Sequence, residues 1–213
     1  MSAPSRPGRP APALLLLRPL IRAIDWRPLT LAVAAMIALA VLIEPGDHVD
    51  PRLGLLLLRL GALLLGVAAA FALVDPASAA TGATPVPRPL RQWIRTLLTG
   101  LAAGVGWGVG CLVVAVRLEP GAVLHFTGAV IEAAVAALIA LAGAAVAVRR
   151  HPGRQAALAG AVTVLILYIG TQILGGGAWP EPYAADWHEI HRWWLAALPI
   201  PLLVLAAAHR DPR

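Results

Sequence analysis

The chain has no lysine, no asparagine and one cysteine, and only 13% of its 213 residues are charged. Soluble domains carry roughly 25% charged residues, so little of this sequence is suited to water. A lone cysteine, Cys111, excludes an internal disulfide and a cysteine-built metal site. It lies in an apolar run and reads as a small packing residue. No Walker motif, Ser/His/Asp arrangement or metal-protease signature occurs, so no catalytic residue is assigned, the chain reads as a non-enzyme, and it has no cofactor of its own. The Gly-x-Gly repeats between Gly104 and Gly110 follow no strand and lie in an apolar run, which excludes a phosphate-cradling loop. Arginine without lysine, with heavy Ala, Gly and Pro usage, points to a GC-rich bacterial genome.

What the chain does have is apolar length. Hydrophobic residues make up 59% of it, gathered into blocks at about 28–43, 53–74, 96–116, 121–148, 155–175 and 192–208. Crossing a bilayer takes roughly 20 helical residues. The middle four blocks meet that requirement, whereas the first and last need flanking residues or local thinning. The expected fold is therefore an all-α integral membrane protein with one six-helix domain over 28–208. Residues 1–12 read as a disordered tail, 13–27 as a short amphipathic interfacial helix, and 209–213 as a second tail.

Arginine placement orients this arrangement. Arg6, Arg9, Arg18, Arg22, Arg27, Arg88, Arg91, Arg95, Arg149, Arg150, Arg154, Arg210 and Arg213 fall on one side, against Arg52, Arg117 and Arg192 on the other. Arginine is retained on the cytoplasmic side, so both termini are expected in the cytoplasm of a bacterial plasma membrane. The net charge of +6 is thereby explained by topology, and nucleic-acid binding is set aside.

Two ionisable residues, Arg59 and Glu132, lie well inside blocks. A charge there costs about 2.5–3.5 kcal/mol on insertion scales, so each should face protein or a watery cavity. The expectation is an ion pair, structural or lining a substrate path. Counting from the block starts places Arg59 roughly 9 Å and Glu132 roughly 16 Å down their helices. His125, two turns before Glu132, is a path or interfacial candidate. Gly100, Gly104 and Gly108 form a small-residue stripe suited to close helix packing.

Two connections stand out. The outer one, 176–191, holds Trp179, Asp186, Trp187, His188 and His191, and reads as an interfacial or re-entrant pair of short helices. His188 and His191 are weak metal candidates, lacking a third ligand, and no metal is assigned. The inner one, 75–95, starts at Asp75 and ends in Arg88, Arg91, Trp93 and Arg95, which suggests a short surface helix that is passive or docks a partner.

This layout resembles the membrane subunit of a type-2 ABC exporter of a small actinobacterial type. In that family an interfacial helix precedes six spans, a coupling segment joins spans two and three, and re-entrant helices join spans five and six. The resemblance implies a cytoplasmic ATP-binding subunit docking on 75–95, ATP bound by that partner, and a homo- or heterodimer of membrane subunits within lipid. The substrate-binding membrane subunit of a vitamin importer and a non-catalytic assembly or scaffold protein remain alternatives. An intramembrane enzyme using Glu132 with His125 or the outer histidines is a further one.

Overall fold

A computed structural model describes residues 12–43, 45–46, 48–74, 87–150, 153–174 and 177–210. Among these are eight helices: α1 (Pro12–Ala23), α2 (Arg27–Leu42), α3 (Pro51–Ala72), α4 (Arg88–Arg117), α5 (Phe126–Arg150), α6 (Arg154–Leu174), α7 (Trp187–Ala197) and α8 (Pro199–His209). Five stretches are long and apolar enough to cross a membrane: α3, α4 from Pro89, α5, α6 from Gln155 to Ile173, and α7 with α8 taken together. The chain has the form of a multi-pass helical membrane protein. Helix α2 is apolar but has only 16 residues.

Helices α3 and α5 form the centre. Asp50 starts α3, its Oδ1 accepting a hydrogen bond from the Arg52 N–H at 2.6 Å, with Pro51 preset for the first turn. Helices α2, α4, α5 and α6 all pack against α3, while α7 and α8 pack against α5. Alanine and glycine at the crossings let the backbones approach closely, as membrane helices require where water provides no driving force. A Cβ on Gly66 would lie 3.2 Å from the Ala137 Cα, and one on Gly160 would lie 3.1 Å from the Ala144 backbone nitrogen.

The bundle has an arginine-rich end and a tryptophan-rich end. At the first, the α4 start is joined to α1 and α8. Arg95 Nη2 donates to the Ala23 carbonyl (3.0 Å), Thr96 Oγ1 meets His209 Nε2 (2.9 Å), and Trp93 packs edge-on against the His209 ring. Arg149 Nη1 donates to the Ala207 carbonyl at 2.8 Å. At the other end, Arg117 Nη1 donates to the Ala40, Val41 and Ile43 carbonyls, satisfying the open C-terminus of α2. Beside it Val49 pairs with the 117–119 backbone, tying the α2–α3 connection to the α4–α5 connection.

Several sequence expectations change. The expected surface helix over Leu90–Arg95 is the first part of α4, which runs unbroken from Arg88 through the third block. Arg95 is consequently two turns inside a helix and only 1% exposed, so it is packing and not docking surface. Trp93 is half-buried against His209, and His209 is the buried last residue of α8, not part of a tail. Helix α1 turns Leu20 into the protein and leaves Ile21 exposed, and Ile24, just past its end, is buried as well. Asp75 and the 1–11 tail lie outside the described residues, as does the Arg88 side chain.

The glycine stripe is also corrected. Gly100, Gly104 and Gly108 face open space, whereas the intervening Gly106 packs on α2, where a Cβ would lie 2.5 Å from Val33 Cγ2. We therefore expect Gly104→Ala to be neutral or stabilising by up to about 1 kcal/mol, since alanine is the better helix former. Gly106→Ala, two residues on, should destabilise by about 1–3 kcal/mol through overpacking. Reversible unfolding in mixed micelles compares the two directly.

Candidate functional site

The charges flagged in the sequence meet beneath the tryptophan-rich end. Helix α5 begins at Phe126, not at 121, because Gly121 (φ +83°) turns the chain first. That start places Glu132 roughly 9 Å into its helix and Arg59 about 12 Å into α3, so the two are level. Arg59 grips Glu132 with both arms: Nε to Oε2 at 2.7 Å and Nη2 to Oε1 at 2.8 Å. The planar guanidinium fork matches a carboxylate in this way, and such bidentate pairs are the strong ones. Arg59 Nη2 also donates to the Pro180 carbonyl at 2.9 Å, and its guanidinium lies 5.3 Å from the centre of the Trp179 ring.

A third ionisable group joins them. His191 Nε2 lies 3.1 Å from Glu132 Oε1, and its Nδ1 lies 2.7 Å from the Trp187 carbonyl oxygen, one turn earlier on α7. Glu132 and His191 are 2% and 5% exposed. The Trp187 ring stacks on His191 at 4.2 Å between centroids and meets the His125 ring at 5.3 Å on its other contact.

Gly128, one turn before Glu132, makes room for this packing. A Cβ there would fall 2.6 Å from His191 Nε2 and 2.5 Å from Trp187 Cζ2.

The outer connection therefore has a different form from the expected pair of short helices. Residues 177–186 run through turns, and 187–191 belong to the last helical crossing. His188 and His191 part company: His188 is exposed and meets the His125 ring edge-on, whereas His191 is buried on Glu132. Asp186 precedes α7 and is exposed. No cluster of three metal-ligating side chains occurs among the described residues.

Trp179 links the charged cluster to a second feature. It donates from Nε1 to Thr171 Oγ1 (2.8 Å) and packs against Tyr168 and Trp194, while Trp194 Nε1 donates to the Ala178 carbonyl (2.9 Å). These aromatics close one end of a cleft of about 880 Å³. The cleft exists because α6 and the α7–α8 pair each pack on α5, while their backbones stand apart from one another among the described residues. Its floor is small and apolar, including Ala142, Gly143 and Ala159, and Arg150 and Gln155 line its arginine-rich end. From Gln155 to Thr171 the lining covers about 24 Å of α6, close to the thickness of a hydrocarbon core. A small void of about 10 Å³, bordered by Arg59, Glu132 and Trp179, shares Leu63, Ala136 and Trp179 with the cleft walls.

Sequence reading identified Arg59 and Glu132 but assigned His191 to the surface and did not single out Gly128 or the cleft. His191 was detectable only through its spacing from a helix start that periodicity leaves open. No protein-family model matches this chain, and no curated protein or solved structure is similar to it.

Proposed function

We propose that this chain is the membrane component of a transport system for a long-chain amphiphile, which lies in the cleft between α6 and α8. One observation carries the reading: a cleft nearly as long as a bilayer core is thick, apolar along its length and polar at both ends. Ligand sites in proteins are typically about 300–1,000 Å³ and mainly apolar, with a few polar groups fixing orientation. Here Arg150 and Gln155 suit an anionic or polar head at the arginine-rich end, with the tail running toward Tyr168 and Trp179. Being bounded by two helices that stand apart, the cleft would be loaded sideways from the lipid.

Native mass spectrometry of the chain released from its host membrane in mild detergent tests this. We expect a retained long-chain species, and Ala159→Phe should reduce its occupancy about tenfold, equivalent to about 1.4 kcal/mol. Equal retention by both proteins would overturn the reading.

Six crossings with both ends in the cytoplasm of a bacterial plasma membrane follow from the arginine distribution, α2 serving as the short first crossing. A separate ATP-binding subunit remains the proposed motor, supported by the whole-chain layout. Its docking surface is narrower than the basic run suggested, since Arg95 is buried. Co-purification from the native host, with and without deletion of residues 77–84, tests whether such a subunit binds there.

A further inference from the structure

We propose that Glu132 and His191 form a binding site for one proton, and that this proton fastens α7 to α5. The argument rests on donors and acceptors. A backbone carbonyl can only accept, so the 2.7 Å contact between His191 Nδ1 and the Trp187 oxygen requires a proton on Nδ1. With Nδ1 protonated, a neutral imidazole presents a lone pair at Nε2. That lone pair would face the Glu132 Oε1 lone pairs across 3.1 Å, with no hydrogen between them. The contact becomes a hydrogen bond when one further proton is present, either on Nε2 as imidazolium or on the carboxyl as a neutral acid. Both forms have the same total charge: with Arg59 the cluster is +1 when loaded and neutral when empty. The proton therefore belongs to the pair and not to either residue.

The surroundings fit a site that loads and empties. Arg59 reaches the same carboxylate from α3 and stays with it in both states, keeping Glu132 oriented. His125 lies across the Trp187 ring from His191, its Nδ1 buried and without a hydrogen-bond partner among the described residues. His188, exposed on α7, meets the His125 ring edge-on at 5.8 Å. The Arg52–Glu181 pair next to Pro180 is exposed, as are Asp186 and Glu189. The cluster also lies only about two turns from the tryptophan-rich end, which places proton exchange on that side.

Fastening α7 has a defined consequence. His191 and Trp194 are three residues apart on α7, and Trp194 lines the cleft. Pro199 and Pro201 cannot donate backbone hydrogen bonds, so the helix ladder is interrupted between α7 and α8 and α7 can shift separately. Loss of the proton replaces a hydrogen bond by facing lone pairs and releases α7 with its cleft-lining tryptophan. Acid on the tryptophan-rich side holds that end shut, and alkali loosens it.

The test uses the full chain with ¹⁵N-labelled histidine in phosphatidylcholine–phosphatidylglycerol nanodiscs, with His191 assigned by the signal lost in His191→Gln. Across a pH titration His191 should keep a proton on Nδ1 throughout and show a single transition at Nε2, from a nitrogen engaged by the shared proton, on either partner, to a bare lone pair. Glu132→Gln should weaken proton binding at His191 about tenfold or more. Gly128→Ala, which displaces the ring and removes no ionisable group, should do the same. A His191 that carries its proton only on Nε2, or shows no transition, would overturn the proposal from wild-type spectra alone. So would unchanged proton affinity in either folded variant.

Discussion

Glu132→Ala should reduce the stability of the folded bundle by about 3–5 kcal/mol, because it strands the Arg59 guanidinium in a low-dielectric interior. The side chain of Arg59 is 11% exposed, and two of its three described hydrogen bonds end on Glu132. Removing the carboxylate also deprives His191 of its partner, so two polar groups lose their contacts in one substitution. The double variant Arg59→Met with Glu132→Leu should recover most of the loss, since removing both partners of a buried pair is often neutral. Reversible unfolding of the three proteins in mixed micelles checks the pattern. A recovered fold without His191 proton coupling would separate the structural part of the cluster from its chemistry.

Gly160→Val has the second-largest expected effect. A Cβ at position 160 meets the α5 backbone, with the Ala144 nitrogen at 3.1 Å and the Ala140 carbonyl nearer still. Backbone inside a packed helix cannot move aside as a flexible side chain can, so α6 must back away from α5. We expect a loss of about 1–3 kcal/mol from overpacking, at the upper end because the branched side chain adds to the clash. Displacing α6 also moves one wall of the cleft, so retention of the proposed amphiphile should fall along with stability. Native mass spectrometry beside an unfolding curve reads both.

How much of this was legible in the sequence varies with the reach of the interactions. The apolar blocks were clear because a bilayer demands length, and 53–74 and 155–175 differ from α3 and α6 by no more than about two residues, the ordinary scatter of helix ends. Arg59 and Glu132 were conspicuous because a charge inside an apolar run needs a partner. His191 was not, because Trp187, Trp193 and Trp194 around it make the segment look interfacial, and only the helix start at Trp187 turns it inward. Arg95 misled for the converse reason: a basic residue beside Arg91 looks exposed until the helix is seen to begin at Arg88. Glycine spacing on α4 identified a face but could not say whether 100, 104 and 108, or 106 and 110, would meet α2. The cleft was beyond reach because it arises from the gap left where the backbones of α6 and α8 stand apart.

The Arg117 knot divides the bundle mechanically. Its hydrogen bonds to the end of α2, with the Val49 pairing beside it, bind two connections into one rigid rim over α2, α3 and α4. At the same end, the described contacts that bridge α6 and α7 run through side chains, Tyr168 and Thr171 on α6 meeting Trp179, and Trp179 meeting Trp194 on α7. If the proposed amphiphile enters and leaves the cleft, the tied α2–α4 side is the part expected to hold position and the α6–α8 side the part expected to give.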